Sequence, residues 1–558
     1  MAGIATTLLS PTFLIYGSIL LLISNGIIFI LNTLRPKAFP PGPRGLPGLG
    51  NLLQVNRAFP FLTYSAWAKD YGIDTPLGVK KGAANLVVLN SGKLIRELFE
   101  KRGSVYSDRP WQFMNNTWVF KEDLRAAIFQ NYSPWLTRWR KDFNHNFGAG
   151  SIAKLRPVYE AETARLLVKL LESPTARGID LEAILVCWMM SVPTLGVCGR
   201  RPDSMADHGF LIKDFRDVSD NYALLVAPNV RDLFPFLQYL PELFGFAEWK
   251  EKARTVREQV FKKGSQFLAV AREQRAALDK GKPIVWESVL AKMLREQREK
   301  NDSMFTESDL GNTAFHIVSA ATNTSLAVFS IMLMILAKNP DIQQRVRDEV
   351  LGVSGGGTPK TADIPSLKYM DAFWNEVHRW RPVAPQGVAH APAQDDIYQG
   401  HRIPKGTAVI MNVWHIHHSE EDYEDPEEFI PERFLRHPFG MRLDGKHDAA
   451  QLEASGSRVN YDFGTGRRIC PGMNSAKQSL LLGLAKVLWA FDVLPPVGKE
   501  IDLNLESGFI QEIALHPKDF DVVFKIRDGF TKEDIWDHYS QCYDAEAEMM
   551  GWEDGMYK

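Results

Sequence analysis

One short segment near the carboxyl end constrains this chain more than any other, because it surrounds a cysteine with glycines and arginines. Residues 463–472 read FGTGRRICPG, with Cys470 as the eighth residue. Glycines at Gly464, Gly466 and Gly472 allow tight turns and a close approach of backbone to a flat ligand. Their N–H groups, the two arginines and the start of a following helix favour a thiolate. We therefore expect Cys470 to bind a ligand through its sulfur.

Composition limits the class of protein. The chain has 558 residues and four cysteines, too few for a disulfide framework, which fits a reducing compartment. A hydrophobic share of 45% with 24% charged residues indicates one large globular body with appendages, or two domains. The formal net charge of −2 provides no overall attraction to nucleic acid, so we expect no nucleic-acid partner.

The amino-terminal segment is apolar from Phe13 to Leu31, interrupted only by small or weakly polar residues. A helix of that length spans roughly 30 Å of hydrocarbon, and the segment lacks the basic start of a cleaved signal peptide. Positive charge follows at Arg35, Lys37 and Arg44, so the positive-inside rule places the remaining chain in the cytosol. These features predict a membrane anchor over residues 1–34.

The body of the chain is predicted to be mainly α-helical with small β-sheets. Residues 306–309 read TESD, which resembles a capping box at the start of a long helix that ends before Pro340. The apolar middle of that helix, Ala314 to Leu336, predicts a buried course through the centre of the domain. Further expected elements are a helix over residues 367–380, a β-like segment over residues 408–414 and a helix over residues 475–491.

The two ends of the body differ in character. Residues 35–51 are rich in proline and glycine, which predicts a stiff hinge that holds the body at a set angle to the bilayer. Residues 52–530 form the expected folded domain. Eight acidic residues and two lysines lie beyond it, so we expect residues 531–558 to be a solvated acidic tail.

Three motifs resemble those of the cytochrome P450 family. Residues 463–472 match its heme-binding signature, Phe-x-x-Gly-x-Arg-x-Cys-x-Gly, at every fixed position. Residues 376–379 resemble its Glu-x-x-Arg motif, and residues 431–434, PERF, resemble its later arginine motif, in the order that the family shows. The resemblance runs from the anchor to about Lys525 and implies the cytochrome P450 fold, with one large heme domain over residues 52–530.

The resemblance also implies roles for the residues near the cysteine. Cys470 is then the axial ligand to the iron of heme b, and Phe463, Gly464 and Gly472 shape the loop that lies against the cofactor.

A second set of residues is implied to be structural. Glu376 and Arg379 alone would be an ordinary helix pair one turn apart. With Arg433 downstream, the resemblance implies a buried Glu-Arg-Arg cluster that locks the heme-binding core.

Contacts to the heme carboxylates rest on weaker resemblance. Arg468 and His390 match positions that pair with propionates in the family, although His390 is equally well interpreted as an ordinary strand histidine. Trp139 and Arg140 resemble a helix that touches a propionate. The basic residue expected four positions after the tryptophan is Phe143 here, which departs from the pattern.

The central helix carries the oxygen-activation motif, again with a departure. Residues 320–325 read AATNTS where the family usually has Ala-Gly-x-Asp/Glu-Thr-Thr. The resemblance makes Thr324 the residue that hydrogen-bonds the oxygen to be activated; bonding to a carbonyl one turn earlier is the structural alternative, and both roles are compatible. Asn323 replaces the expected acid, and an amide cannot relay protons as a carboxylate does. Proton delivery through water is one expectation, and a lower need for protons is the other.

The reaction and partners follow from the thiolate ligand. Thiolate donation favours cleavage of the O–O bond and oxidation of unactivated C–H bonds, with hydroxylation as the default outcome. No Gly-x-Gly-x-x-Gly fingerprint for a nicotinamide or flavin is evident, so we expect electrons from NADPH through a separate NADPH–cytochrome reductase. Arg138, Arg140 and Lys141 are candidates for its docking patch, with a solvated basic face as the equal alternative. The expected location is the endoplasmic reticulum membrane, with a single span and a cytosolic catalytic domain.

Substrate choice is assigned by family analogy to three variable segments, Val105–Phe120, Val383–Val388 and Ser507–Ile510. Their apolar content predicts a roomy pocket for a small apolar or aromatic metabolite. In style the sequence is similar to fungal members that act in secondary metabolism. Oxidative coupling of aromatic radicals at the same site is a second hypothesis, kept open by Asn323. A non-catalytic heme sensor or carrier is a third, and the retained Thr324 argues against it.

Overall fold

Helices carry most of the chain in the computed structural model, which describes residues 11–120, 124–173, 175–176, 178–226, 229–239, 248–301, 303–444, 446–512 and 514–552. The α-helices of twelve or more residues are α1 (Pro11–Thr33), α2 (Pro60–Tyr71), α3 (Pro134–Phe147), α4 (Arg156–Glu172), α5 (Gly178–Cys198), α6 (Ile212–Val226), α7 (Glu248–Asp279), α8 (Val289–Lys300), α9 (Glu307–Lys338), α10 (Pro340–Val353), α11 (Lys368–Trp380), α12 (Met473–Ala490) and α13 (Lys532–Met550). Shorter α-helices are Gly92–Ile95, Ala149–Ile152, Val230–Leu233, Val413–His417, Arg433–Arg436, Ala449–Ala454 and Leu505–Gly508. Two π-helical segments are Arg96–Lys101 and Met114–Val119, and 3₁₀ turns are Pro202–Ser204, Ala206–His208, Pro235–Tyr239, Ile364–Ser366 and Gly466–Arg468.

The strands are short. They are β1 (Leu77–Lys81), β2 (Ala84–Leu89), β3 (Thr175–Ala176), β4 (Asp396–Tyr398), β5 (His401–Ile403), β6 (Ala408–Met411), β7 (Phe491–Leu494), β8 (Phe509–Gln511), β9 (Leu515–Pro517) and β10 (Val522–Ile526). One sheet has the order β1-β2-β6, with β1 antiparallel and β6 parallel to β2. A second sheet has the order β3-β10-β7, and β4-β5 and β8-β9 are hairpin pairs. The predicted mainly α architecture with small sheets is confirmed.

The central helix α9 organises the core. Thr306 caps it by accepting from the Asp309 backbone N–H at 3.1 Å, while the Asp309 carboxylate accepts from the Thr306 N–H at 3.0 Å. This reciprocal pair satisfies two helix-end donors, as the sequence predicted. Gly264 of α7 and Gly311 of α9 let the two backbones touch, because a Cβ on either would lie 2.8 Å from the other's backbone. The predicted long buried helix is confirmed.

Two predicted boundaries shift. The β-like segment expected over residues 408–414 ends at Met411, because Asn412 caps a short helix by accepting from the His415 N–H at 3.3 Å. Assigning residues 413–414 to a strand was therefore wrong. The helix expected from Ser475 begins at Met473, directly after the glycine that follows Cys470 and Pro471.

Helix α1 differs in exposure from the other long apolar helices. Within the described residues, α1, α5 and α9 are long and apolar enough to cross a membrane, but α5 and α9 are mostly buried in protein whereas the Tyr16–Thr33 part of α1 is almost wholly exposed. Its end is tied to the body, since the Lys80 ammonium donates to the Asn32 carbonyl at 2.9 Å. Residues 1–10 of the predicted anchor lie outside the described residues.

The proline-rich segment after α1 lies along strand β1. Gly78 donates its backbone N–H to the Pro41 carbonyl at 2.7 Å, and the Arg35 guanidinium donates to Pro40 at 3.1 Å. A Cβ on Gly50 would lie 2.4 Å from the Lys80 carbonyl, so the close approach requires glycine. Fixed proline dihedrals and these backbone contacts hold the segment in one course.

The carboxyl-terminal segment is not a solvated tail. Residues 532–550 form α13, whose side chains at Ile535, Tyr539 and Tyr543 are buried against the core and against α4. These residues recur every four positions and form one helix face, while the acidic residues except Glu546 point outward or lie partly exposed. The prediction of solvation was wrong for this range because the acidic content hid the helical periodicity. Residues 553–558 lie outside the described part of the chain.

A buried ionic cluster fastens α13 to the body. Arg201 donates to Glu162 at 2.5 Å and to Glu546, and all three side chains are at most 1% exposed. Burial, followed by the charge of Glu162, raises the pKa of the Glu546 carboxyl well above its usual range. Glu546 is therefore held as the neutral acid, and Arg201 is the cation that pairs with the buried Glu162 carboxylate and bonds Glu546.

We predict that Arg201→Met lowers the free energy of unfolding by about 3–5 kcal/mol, because it leaves the buried Glu162 carboxylate without the cation bonded to it and removes the bond to Glu546. Arg200→Met is the matched control, since Arg200 pairs with the exposed carboxylates of Asp207 and Glu273 and should cost about 0–1 kcal/mol. Urea unfolding of both variants measures the difference, and equal losses would contradict the role given to Arg201.

Candidate functional site

The loop that carries Cys470 has a backbone conformation that favours glycine at two positions. Gly464 and Gly466 adopt positive φ angles of 69° and 59°. A Cβ on Gly466 would also lie 2.5 Å from the Phe99 carbonyl oxygen. The loop closes when the Cys470 N–H donates to the Phe463 carbonyl at 2.8 Å. The turn therefore fixes where the cysteine side chain points.

The Cys470 sulfur lies in a site that is surrounded by protein and still accessible. Its side chain is exposed, whereas burial raises the pKa of its thiol above the usual range. The backbone N–H groups of Gly472 and Met473, at the start of α12, and the charge of Arg140 act in the opposite direction. An accessible sulfur among close protein neighbours is open to a ligand and is also held in place by the protein.

The arginines that stabilise the sulfur are not those that the sequence suggested. Arg467 is exposed, and its guanidinium lies 4.8 Å from the centre of the Tyr132 ring. Arg468 points away from the sulfur and donates to backbone carbonyls, including that of Ser107 at 2.8 Å. Arg140 acts on the thiol instead, and it also donates to the Ile469 carbonyl at 2.5 Å.

Four cationic or titratable side chains gather beside this loop. Burial lowers the pKa of Arg109, and Arg468 and Arg140 lower it further by repulsion. The pKa of His390 is lowered by burial and then by the charges of Arg109 and Arg468. Within the described residues, none of these side chains forms an ion pair with a carboxylate, and each donates to or contacts backbone carbonyls. The Asp108 carboxylate acts on Arg468 only through space, so within the described part of the chain the cluster has no paired anion of the kind that buried charges require.

This donor set fits heme. A flat dianionic cofactor would supply two carboxylates for Arg109, Arg140 and Arg468 and an iron for the Cys470 sulfur. Gly472 contributes no side chain, and a Cβ there would stand 3.9 Å from the sulfur. The position of Arg468 beside the loop is consistent with its expected role, whereas the single N–H of neutral His390 is used at Nδ1, 2.7 Å from the Tyr106 carbonyl. Arg109 was missed because nothing local distinguishes it; only the fold brings it here.

Trp139 is placed differently from the expectation. Its indole N–H donates to the Thr313 hydroxyl of α9 at 3.1 Å, and its ring stacks on Phe143 with 5.4 Å between centroids. The indole therefore fastens α3 to the central helix in this structure. Phe143, which replaces the usual basic residue, forms part of that packing.

Glu376, Arg379 and Arg433 form a fully buried ionic cluster on helix α11 and the segment that follows it. Arg379 donates twice to Glu376, at 2.7 and 2.8 Å, and Arg433 donates to the same carboxylate at 3.1 Å. All three side chains are at most 2% exposed. Arg379 also donates to the carbonyls of Pro426 and Glu428, which joins α11 to the following loop.

The same helix α11 reaches the cysteine loop through His378. Its Nδ1 lies 2.6 Å from the Asp462 carboxylate, which also accepts from the N–H groups of Val383 and Ala384. Asp462 precedes Phe463, whose ring stacks at 6.2 Å on Trp374 of α11. Asp462 was not singled out from the sequence, although its position next to the motif was an available signal.

The two residues predicted to act in oxygen activation lie on two sides of α9. Thr324 is exposed, like Ala320 one turn earlier, and its hydroxyl donates to the Ala320 carbonyl at 2.9 Å. Asn323 turns to α6, where its amide donates to the Ser219 hydroxyl at 3.2 Å. Ala320 and Thr324 therefore form an accessible stripe in the otherwise buried middle of α9.

The suggested docking patch is divided. Arg138 pairs with Asp142 at 2.8 Å and with Glu296 at 3.5 Å, while Arg140 points to the cysteine loop. Lys141 is exposed. The expectation that these three residues share one basic surface was therefore wrong.

We predict that Arg433→Met lowers the free energy of unfolding by about 2–4 kcal/mol and weakens heme retention, because Glu376 loses one charged hydrogen bond and the Glu424 carbonyl loses its donor, although Arg379 still pairs with Glu376. Arg436→Met in the same short helix is the control: its side chain is half exposed and lies 3.9 Å from Glu424, so the cost should be about 0–1 kcal/mol. Urea unfolding and heme content measure both effects. Similar losses in the two variants would contradict the locking role.

Comparison with known proteins agrees with this geometry. The Cytochrome P450 family profile matches residues 40–524. The chain is 77% identical over 558 residues to cytochrome P450 monooxygenase grgG of a Penicillium species, covering 100% of both proteins. It is 28% identical to cytochrome P450 monooxygenase patI of Penicillium expansum, over 97% of this chain and 98% of the relative. It is 31% identical to cytochrome P450 monooxygenase fogE of Aspergillus ruber, over 82% of this chain and 81% of the relative.

These matches confirm the predicted family and the predicted enzyme class, and they extend over the cysteine loop, the Glu-Arg-Arg cluster and the central helix. The chain therefore belongs to the cytochrome P450 family of monooxygenases.

Proposed function

We propose that this chain is a membrane-anchored heme-thiolate monooxygenase that uses electrons from NADPH, through a separate reductase, to hydroxylate a small apolar or aromatic metabolite. The observation that carries the proposal is the accessible Cys470 sulfur beside buried cations that have no carboxylate partners among the described residues. Heme bound through a thiolate supplies activated oxygen that can attack unactivated C–H bonds.

The cysteine loop and the cation cluster would bind different parts of the heme. Cys470 would hold the iron, while Arg109, Arg140 and Arg468 would receive the two heme carboxylates. The single N–H of neutral His390 is used at Nδ1, which lies 2.7 Å from the Tyr106 carbonyl, so its Nε2 can only accept. The arginines therefore provide both the charge and the hydrogen-bond donors, and His390 is better interpreted as the ordinary strand histidine.

Thr324 would guide protons to the oxygen that is to be activated. Its hydroxyl donates to the Ala320 carbonyl, so the oxygen lone pairs stay free to accept a hydrogen bond or a proton from water. Asn323 cannot relay a proton, and its N–H is used by Ser219. The route that these residues support runs through water to Thr324.

A second candidate is oxidative coupling of aromatic radicals at the same site. The Asn323 amide, bonded to Ser219 and unable to deliver protons, is the observation that favours it. The two reactions differ in atom balance: hydroxylation places one atom of labelled oxygen in the product, whereas coupling places none. Mass spectrometry of products formed under ¹⁸O₂ separates them.

Membrane attachment and electron supply complete the proposal. The exposed apolar surface of α1 and the cations that follow it, Arg35, Lys37 and Arg44, support a single span in the endoplasmic reticulum with the catalytic domain in the cytosol. A membrane-bound reductase would meet the enzyme there. Resemblance in style to fungal members supports a role in secondary metabolism.

We predict that Thr324→Ala raises peroxide release per NADPH consumed several-fold, because protons are no longer guided at the distal side. Thr322→Ala is the matched control, since Thr322 also bonds a carbonyl one turn earlier, that of Val318 at 2.7 Å, but is buried away from the accessible stripe. Coupling is measured as product and peroxide formed per NADPH. Unchanged coupling in Thr324→Ala would show that this hydroxyl does not guide protonation.

A further inference from the structure

An aromatic box lies at the junction of α6, α9 and the segment that follows residues 114–119. Phe120, Tyr222 and His316 form it, with ring centroids separated by 5.6 Å between Phe120 and Tyr222, 5.4 Å between Phe120 and His316, and 5.2 Å between Tyr222 and His316. Phe315 closes it, at 5.8 Å from Tyr222. Three separate parts of the chain thus converge on one apolar volume.

Two buried polar atoms of this box have no hydrogen-bond partner among the described residues. The Tyr222 hydroxyl and the His316 Nε2 are buried, and neither makes a hydrogen bond to any described residue. Their rings are adjacent, yet the two atoms do not bond each other. Native proteins rarely leave buried polar atoms unsatisfied, because desolvation is then uncompensated. A neighbouring pair of such atoms in an apolar box indicates a ligand that completes them.

The box lies along the same helix face as the oxygen-activation residue. His316, Ala320 and Thr324 are spaced by four residues and therefore share one face of α9. The rise from His316 to Thr324 is roughly 12 Å at 1.5 Å per residue. Helix α6 runs alongside, since the Ser219 and Ser319 hydroxyls are bonded at 2.5 Å.

The electrostatics of the box exclude a charged ligand. Burial alone lowers the pKa of His316 to about 3 and raises the pKa of Tyr222, with no charged group among the causes. Both side chains are therefore neutral near pH 7. A carboxylate placed between them would be a buried charge without a cation, whereas a neutral oxygen needs only hydrogen bonds.

We propose that Tyr222 and His316 hydrogen-bond a neutral oxygen of the substrate, a carbonyl or a hydroxyl, and so select which carbon of its apolar remainder lies beside Thr324. The inference rests on the proposed function, because it takes the Thr324 face as the place where the substrate is oxidised. It adds a substrate class, an apolar molecule with one neutral oxygen. The distance from that oxygen to the oxidised carbon is about two helical turns minus the reach of the side chains.

Matched probes test the recognition directly. Hexanophenone and hexylbenzene share a carbon skeleton and differ by a carbonyl in place of a methylene group. Equilibrium dialysis against the heme-loaded full-length chain measures the two dissociation constants. The ketone should bind more tightly than the hydrocarbon. Tyr222→Phe and His316→Phe keep the rings and should each reduce that preference about fivefold, which corresponds to one neutral hydrogen bond.

Tyr64→Phe is the matched control. The Tyr64 hydroxyl is also buried without a partner among the described residues, but it lies in a different core cluster, with residues of β1 and β2. Its removal should leave the preference for the ketone intact. Equal effects of Tyr64→Phe and Tyr222→Phe would overturn the assignment.

The remaining outcomes are distinct. A ketone that binds no more tightly than the hydrocarbon, including failure of both to bind, overturns the inference, as does a preference that survives both substitutions. Dialysis needs no turnover, so a chain that prefers the ketone but oxidises nothing contradicts the proposed function alone. Tyr222→Phe should leave the melting temperature of the ligand-free protein unchanged or higher. A marked fall would show that the hydroxyl already has a structural partner, which also overturns the inference.

Discussion

The interaction on which the site depends is the sharing of one buried carboxylate by two arginines. Glu376 accepts from Arg379 and Arg433, and the spare donors of both arginines reach backbone carbonyls of residues 417–428. These bonds join helix α11 to the loop that follows β6. The same helix holds Asp462 through His378, and Asp462 stands at the start of the cysteine loop. The buried salt bridge on helix α11 therefore helps to hold the cysteine loop in place.

How much of this was predictable from sequence depended on whether the signal was local. The cysteine loop, the capping box of α9 and the Glu-x-x-Arg pair are encoded in ten residues or fewer, and they formed as expected. Arg109, Tyr222 and His316 gain their roles only from neighbours far along the chain, and no spacing pattern marks them. Helix α13 was misjudged because its acidic residues hid a four-residue apolar spacing. Trp139 bonds Thr313, a partner that only the packing of α3 on α9 supplies.

Helix α9 carries two proposed functions at different points along its length, proton guidance and substrate recognition. Its accessible stripe carries Thr324, which is suited to guiding protons, and two turns earlier the aromatic box carries the unpartnered atoms of Tyr222 and His316. Asn323 lies on the adjoining face and bonds Ser219, so the residue that replaces the usual acid fastens α6 to α9. The amide that stands where an acid was expected therefore has a structural use, which fits the proposed proton supply through water and Thr324.

The central claim is that Cys470 ligates the heme iron, and the carbon monoxide spectrum of the reduced, heme-loaded chain tests it most directly. The account predicts the red-shifted band of a thiolate-ligated heme in the natural chain and in Cys187→Ser, whose sulfur is half-buried in helix α5. Cys470→Ser should lose that band even where heme is retained. Persistence of the red-shifted band in Cys470→Ser would contradict the account.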